Sequence, residues 1–140
     1  APDIDLDGDG IFDLCDYTGN SNQMVSDFQA NLAINYGYPL TKGLELSALI
    51  FMFYTSEYDA SATFDPALVQ DSYSRFNLRI GIGPPSGDWE VALLARNLTD
   101  EKVLQFGGDT PLAGGTFGAK SNYAFYGQGR TLWLQATKLF

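Results

Sequence analysis

Trp89-Glu-Val-Ala-Leu-Leu-Ala-Arg-Asn-Leu-Thr-Asp-Glu-Lys102, then a glycine-rich interval, then Gly129-Arg-Thr-Leu-Trp-Leu-Gln-Ala-Thr-Lys-Leu-Phe140, is the stretch whose reading decides the fold. Both runs alternate with a period of two, the spacing of a strand whose successive side chains leave on opposite faces. The first sets Trp89, Val91, Leu93 and Ala95 against Glu90, Ala92, Leu94 and Arg96. The second sets Leu132, Leu134 and Ala136 against Thr131, Trp133, Gln135 and Thr137, and it stops on Phe140.

The same period extends upstream. Phe28, Ala30, Leu32, Ile34, Tyr36 and Tyr38 alternate with small or polar residues, and Pro39-Leu-Thr-Lys-Gly43 reads as a turn. A strand over about 43–58 follows, with Leu44, Leu46, Ala48, Ile50, Met52 and Tyr54 on one face. Its other face begins polar and turns apolar at Leu49, Phe51 and Phe53, so both faces of its middle are expected to be buried. A strand over about 71–83 sets Phe76, Leu78, Ile80 and Ile82 against Arg75, Asn77, Arg79 and Gly81. Pro84-Pro-Ser-Gly87 is a tight turn, and residues 100–126 read as a long loop that Gly107-Gly108 and Gly114-Gly115 loosen.

The expected fold is therefore all-β, an antiparallel meander of about five long strands. Connections alternate short (39–42), long (59–69), short (84–87) and long (100–126). Short turns on one side and long loops on the other are the habit of outer-membrane barrels. Strands of about 11–16 residues exceed the usual soluble length of roughly 5–6. They suit a tilted membrane crossing instead. In that arrangement Leu132, Leu134, Leu93, Val91, Leu78 and Ile80 face lipid, while Arg75, Arg79, Glu90 and Arg96 face the lumen. Tyr36, Tyr38 and Trp89 at the lower ends, with Tyr54 and Tyr58 at an upper end, would form interface girdles. A soluble sandwich with one wet face would show the same kind of alternation.

Composition narrows the functions. A net charge of -9 and a pI of about 4.1 leave no basic patch for nucleic acid. The chain has no histidine, which removes Ser-His-Asp and Cys-His catalysis and His-ligated zinc. No convergent nucleophile replaces them, so no enzyme is expected. Asp88, Glu90, Asp100 and Glu101 do not share a depth along the strand and make a poor glycosidase pair. No apolar run reaches the roughly 18 residues of a membrane helix, which leaves a barrel open.

Residues 1–24 are rich in Asp, Gly and Asn and are expected to be an acidic extracellular loop; residues 25–140 hold the strands. Within the loop, Asp5, Asp7, Asp9, Asp13 and Asp16 occupy positions 1, 3, 5, 9 and 12 of a calcium-loop spacing, with Gly10 at position 6. Alternate carboxylates converge there on one hard cation, and the Ile11 carbonyl supplies position 7. The segment also resembles one thrombospondin type 3 repeat, in which aspartates recur at this spacing beside Cys. The single Cys15 cannot close an internal disulfide; it either pairs with a cysteine upstream or stands as a lone thiol. The chain starts at Ala1 without Met or a signal peptide and is expected to be a fragment.

Trp89…Arg96-Asn97-Leu98-Thr99-Asp100-Glu101 resembles the penultimate strand of TonB-dependent receptors, and Gly129-Arg130-Thr131 running to Phe140 resembles their last strand. The likeness is close over about the last third of the chain. Lys138 departs from it, lying on the face of Ala136 and Phe140 where an apolar residue is usual. The resemblance implies the C-terminal portion of a transmembrane β-barrel in the outer membrane of a Gram-negative bacterium. It further implies active uptake of a scarce nutrient such as a ferric siderophore, cobalamin or an oligosaccharide. The implied partners are outer-membrane lipid, the remaining barrel strands and plug domain, the TonB complex through an N-terminal part, and the barrel-assembly machinery through Phe140. The competing expectations are a passive porin-type channel and a secreted calcium-binding β-domain serving as an interaction module.

Overall fold

The structure is a computed structural model that describes residues 3–4, 6, 14–15, 19, 22–40, 43–110 and 121–139. It is all-β. The strands are β1 (Asp3–Ile4), β2 (Leu14–Cys15), β3 (Gln29–Pro39), β4 (Glu45–Thr55), β5 (Tyr58–Asp59), β6 (Val69–Gln70), β7 (Tyr73–Gly83), β8 (Trp89–Arg96), β9 (Leu104–Asp109), β10 (Asn122–Tyr126) and β11 (Thr131–Lys138). One 3-10 turn, Pro66–Leu68, is capped by Asp65, whose Oδ1 accepts the Ala67 N–H at 2.9 Å.

The five long strands expected from the sequence form one antiparallel sheet in the order β11-β8-β7-β4-β3. Neighbours in this sheet follow one another along the chain, across the two short turns (40–44, 84–88) and the two long connections (56–72, 97–130) alike. Among the described residues the sheet is open, with β3 and β11 as its edges, and they form no closed barrel. Its turn end carries Pro84–Gly87, closed by Gly87 N–H donating to Pro84 O at 2.9 Å, with Gly87 at φ 77. That left-handed backbone is where glycine costs least.

Register sorts the side chains into two unlike faces. Leu32 pairs with Met52, Ile34 with Ile50, Ile50 with Leu78, Ile80 with Leu93 and Leu93 with Leu134. These rows make one continuous aliphatic face across all five strands. It has no second layer over it among the described residues. Leu134 is 71 % exposed, Leu132 59 %, Leu32 55 % and Leu93 49 %, values that belong to a surface and not to a core. Rows on the opposite face run Ser47–Gly81–Ala92–Gln135 and Leu49–Arg79–Leu94–Trp133, so the polar and charged residues collect there.

Apart from Ala92 and Ala95 in β8, the buried apolar side chains gather at the loop end. Ala60, Leu68 and Leu104 form the core cluster, with Tyr58 packed against it. The interval 100–126, expected to be a loop, instead holds the β9–β10 hairpin. Phe106, Tyr123 and Phe125 stack across it with centroids 5.9–6.4 Å apart. Gly107 and Gly108 lie inside β9 and are packed, not loose. A methyl on Gly107 would meet Leu68, and one on Gly108 would sit 2.7 Å from the Tyr123 hydroxyl. Gly107 N–H also donates to Ala60 O at 2.8 Å, joining the hairpin to the 56–72 connection.

Two further expectations change. Tyr58 is not a girdle residue: its ring packs on the loop-end cluster and its hydroxyl donates to Leu104 O at 2.8 Å. The middle of β4 is not buried on both faces. Ile50 is 42 % exposed on the aliphatic face, while Phe51 and Phe53 are half-buried on the other. Within the acidic N-terminal segment β1 and β2 pair, with Asp3 opposite Cys15 and Ile4 opposite Leu14.

Candidate functional site

The polar face of the main sheet brings together the four residues that the alternation assigned to one side, Arg75, Arg79, Glu90 and Arg96. Arg79 and Glu90 form an ion pair between β7 and β8. Ser47 Oγ donates to Glu90 Oε1 at 3.2 Å, adding a neutral donor to the carboxylate. Gly81 lies beneath this group, and a Cβ there would collide with the Glu90 carboxylate and the Ser47 hydroxyl. The glycine is thus what lets three polar side chains converge over the sheet.

Arg75 and Arg96 are held differently. The Arg75 guanidinium lies 5.6 Å from the Phe53 ring centroid and 5.7 Å from that of Tyr73. Arg96 lies 5.3 Å from the Trp133 ring. All three distances are within cation–π range. A cavity of about 340 Å³ opens beside them, lined by Phe51, Phe53, Asn77, Gln105, Gln128 and the two arginines among others.

The Asn97–Asp100 phrase acts as a clip between β8 and β11. Asn97 takes φ 49, a backbone that asparagine tolerates better than most residues, and it is 5 % exposed. Its Oδ1 accepts Glu101 N–H at 2.9 Å, and its Nδ2 donates to Glu101 O at 2.9 Å and Gln128 O at 3.3 Å. Asp100 Oδ1 accepts Arg130 N–H at 2.8 Å. The side-chain amide of Asn97 is therefore committed to the fold, and the glycosylation sequon formed by Asn97-Leu98-Thr99 has no accessible acceptor.

Other carboxylates are spread out. Asp88 stands at the turn end of β8, bonded by Ser86 Oγ at 2.7 Å, while Asp100 and Glu101 lie beyond its other end. Among the described residues no group of three or more Cys, Asp or Glu side chains is placed to hold a metal ion. Asp5, Asp7, Asp9, Ile11, Asp13 and Asp16 lie outside the described residues, as does Phe140. The β1–β2 ladder nevertheless joins residues on either side of positions 5–13. At the loop end, burial and the neighbouring Tyr73 push the Tyr58 hydroxyl up to about 12 from its ordinary 10.0.

The cation–π clamps and the 340 Å³ cavity were not foreseen from the sequence. Their signal was the interruption of polar alternation in β4 by Phe51 and Phe53, opposite Asn77 and Arg75. Comparison of the chain with protein-family models, with curated proteins and with solved structures finds no match.

Proposed function

We propose that this chain is the C-terminal barrel portion of a TonB-dependent outer-membrane receptor, serving active uptake of a scarce nutrient such as a ferric siderophore, cobalamin or an oligosaccharide. The observation that carries the proposal is the uncovered aliphatic face spanning all five strands of an antiparallel meander. Water makes so wide an apolar surface costly, and lipid removes that cost. Strand length supports the same reading. Eleven residues in β3, β4 and β7 span roughly 37 Å, or about 26 Å across a membrane at a tilt near 45°. That suits an apolar band about 25 Å tall.

Tyr36, Tyr38 and Trp89 lie exposed at the turn end of the aliphatic face, with Tyr36 and Tyr38 stacked at 6.5 Å. Aromatics at that level fit a lipid headgroup belt. Phe28 and Tyr54 pair at 6.0 Å toward the loop end. The free edges of β3 and β11 would be satisfied by further strands of the same barrel. The resemblance of residues 89–101 and 129–140 supplies the receptor type, the plug, the TonB complex and the assembly machinery as partners.

Calcium at Asp5, Asp7, Asp9, Ile11, Asp13 and Asp16 belongs to the same proposal, as an ion that orders an extracellular loop. The test is peptide mapping of an outer-membrane fraction. A parent band several times larger than 15.3 kDa, with a plug upstream, is expected. A large band without a plug would replace the receptor with a porin. A soluble band near 15.3 kDa would sink the barrel and leave a secreted calcium-binding β-domain.

A further inference from the structure

The polar face carries an arginine pair with no carboxylate partner among the described residues. The chain is acidic overall, with 17 Asp and Glu against 8 Lys and Arg. Yet no aspartate or glutamate lines the cavity beside Arg75 and Arg96 among the described residues. Arg79, on the same face, has its partner in Glu90. Arg75 and Arg96 have aromatic rings instead. Rings orient a guanidinium and cover one of its planes, but they leave its in-plane N–H fork available.

The two arginines lie on adjoining strands, and Asn77 sits between them in the lining. Like charges held at such spacing repel. The fold tolerates them where aromatic faces spread the charge and where a ligand can neutralise it. Gln105 and Gln128 add amide donors to the same wall. A cavity of about 340 Å³ admits a small molecule or one group of a larger one.

We infer that this cavity is an oxyanion-recognition site, in which Arg75 and Arg96, steadied by Phe53, Tyr73 and Trp133, bind a carboxylate- or phosphate-bearing group of a ligand. Planar forks match both groups. The inference concerns the polar face and does not depend on what covers the aliphatic one. In a barrel the site would face the lumen near the loop end, where an incoming ligand passes first.

The test uses the full chain with Trp89→Phe, so that Trp133, under Arg96, is the sole reporter of the two tryptophans. The medium is buffer or detergent micelles, whichever gives the circular-dichroism signature of the sheet. Citrate and inorganic phosphate are titrated separately, with ionic strength held by sodium chloride. A saturable change in Trp133 emission is expected for at least one of them, and the tighter of the two assigns the ligand chemistry. Arg75→Gln and Arg96→Gln are each expected to weaken it at least about tenfold, while Lys102→Gln, outside the cavity lining, leaves it unchanged. If Arg96→Gln loses the sheet signal, Arg96→Lys replaces it; keeping the charge without the fork, it is expected to weaken binding by about threefold. No saturable response to either anion from the folded chain overturns the inference. Equal weakening by Lys102→Gln also overturns it, because diffuse charge would then account for the binding.

Discussion

Replacing Leu134 with Arg separates lipid from water as the medium over the aliphatic face. Leu134 is the fourth of eight residues in β11, pairs with Leu93 of β8, and is 71 % exposed. Little protein packing is lost on replacing it, so its surroundings decide the outcome. In water, an exposed substitution of this kind changes stability by about 0.5 kcal/mol or less. In lipid, an arginine near the bilayer midplane costs about 2–4 kcal/mol. That is a shift of about 30- to 700-fold in the folding equilibrium. The assay is a urea titration of the membrane-inserted protein that carries these residues, followed by tryptophan emission. Gln135→Arg, one residue on and facing the polar side, is the control and is expected to cost under about 1 kcal/mol. A Leu134→Arg cost near zero, or equal to that of Gln135→Arg, would refute the lipid assignment.

Further outcomes follow from the loop end and the N-terminal segment. Asn97→Ala removes three side-chain hydrogen bonds and a favoured left-handed residue, so about 2–4 kcal/mol of stability is expected to go. Asn97→Gly, which keeps the backbone, should recover part of that loss in the same thermal melt. Tyr58 has a folded pKa of about 12, above the ordinary 10.0. The neutral phenol is therefore favoured by folding, and its stabilising contribution is complete below pH 10 and lost as pH rises towards 12. A spectrophotometric titration should show one tyrosine ionising late, and Tyr58→Phe should abolish that step; an unchanged titration would contradict the packing. Isothermal titration with calcium should register one site, abolished by Asp5→Asn with Asp9→Asn, and an unchanged isotherm in that double variant would remove the proposed ligand set.

Period two made the main sheet legible, because side-chain direction alternates whatever the medium. Strands β3, β4, β7, β8 and β11 lie where the alternation placed them, and so do the charged residues of the polar face. The β9–β10 hairpin was hidden because Gly107 and Gly108 read as loop residues. They are in β9 because Leu68 and Tyr123 need the space a side chain would fill, which is a tertiary demand with no local trace. Tyr58 was misplaced for a related reason. Counted along the strand it falls at the interface level, but the chain leaves β4 at Thr55 and turns Tyr58 onto Leu104. The arginine clamps required knowing which rings lie across the strands, since Arg96 and Trp133 are 37 positions apart in the sequence. The asparagine clip was visible as a phrase, but its mechanics were not. Only the approach of Gln128 and Arg130 to Asn97 and Asp100 explains it.

The most direct test of the central claim is quenching of single-tryptophan variants by lipids brominated along the acyl chain. Trp89 lies on the aliphatic face and Trp133 on the polar face. With the bromines high on the acyl chain, next to the headgroup belt, Trp89 emission, read in Trp133→Phe, is expected to be strongly quenched. Trp133 emission, read in Trp89→Phe, is expected to be nearly unaffected. Equal quenching of the two, or none of Trp89, would contradict a lipid-facing sheet.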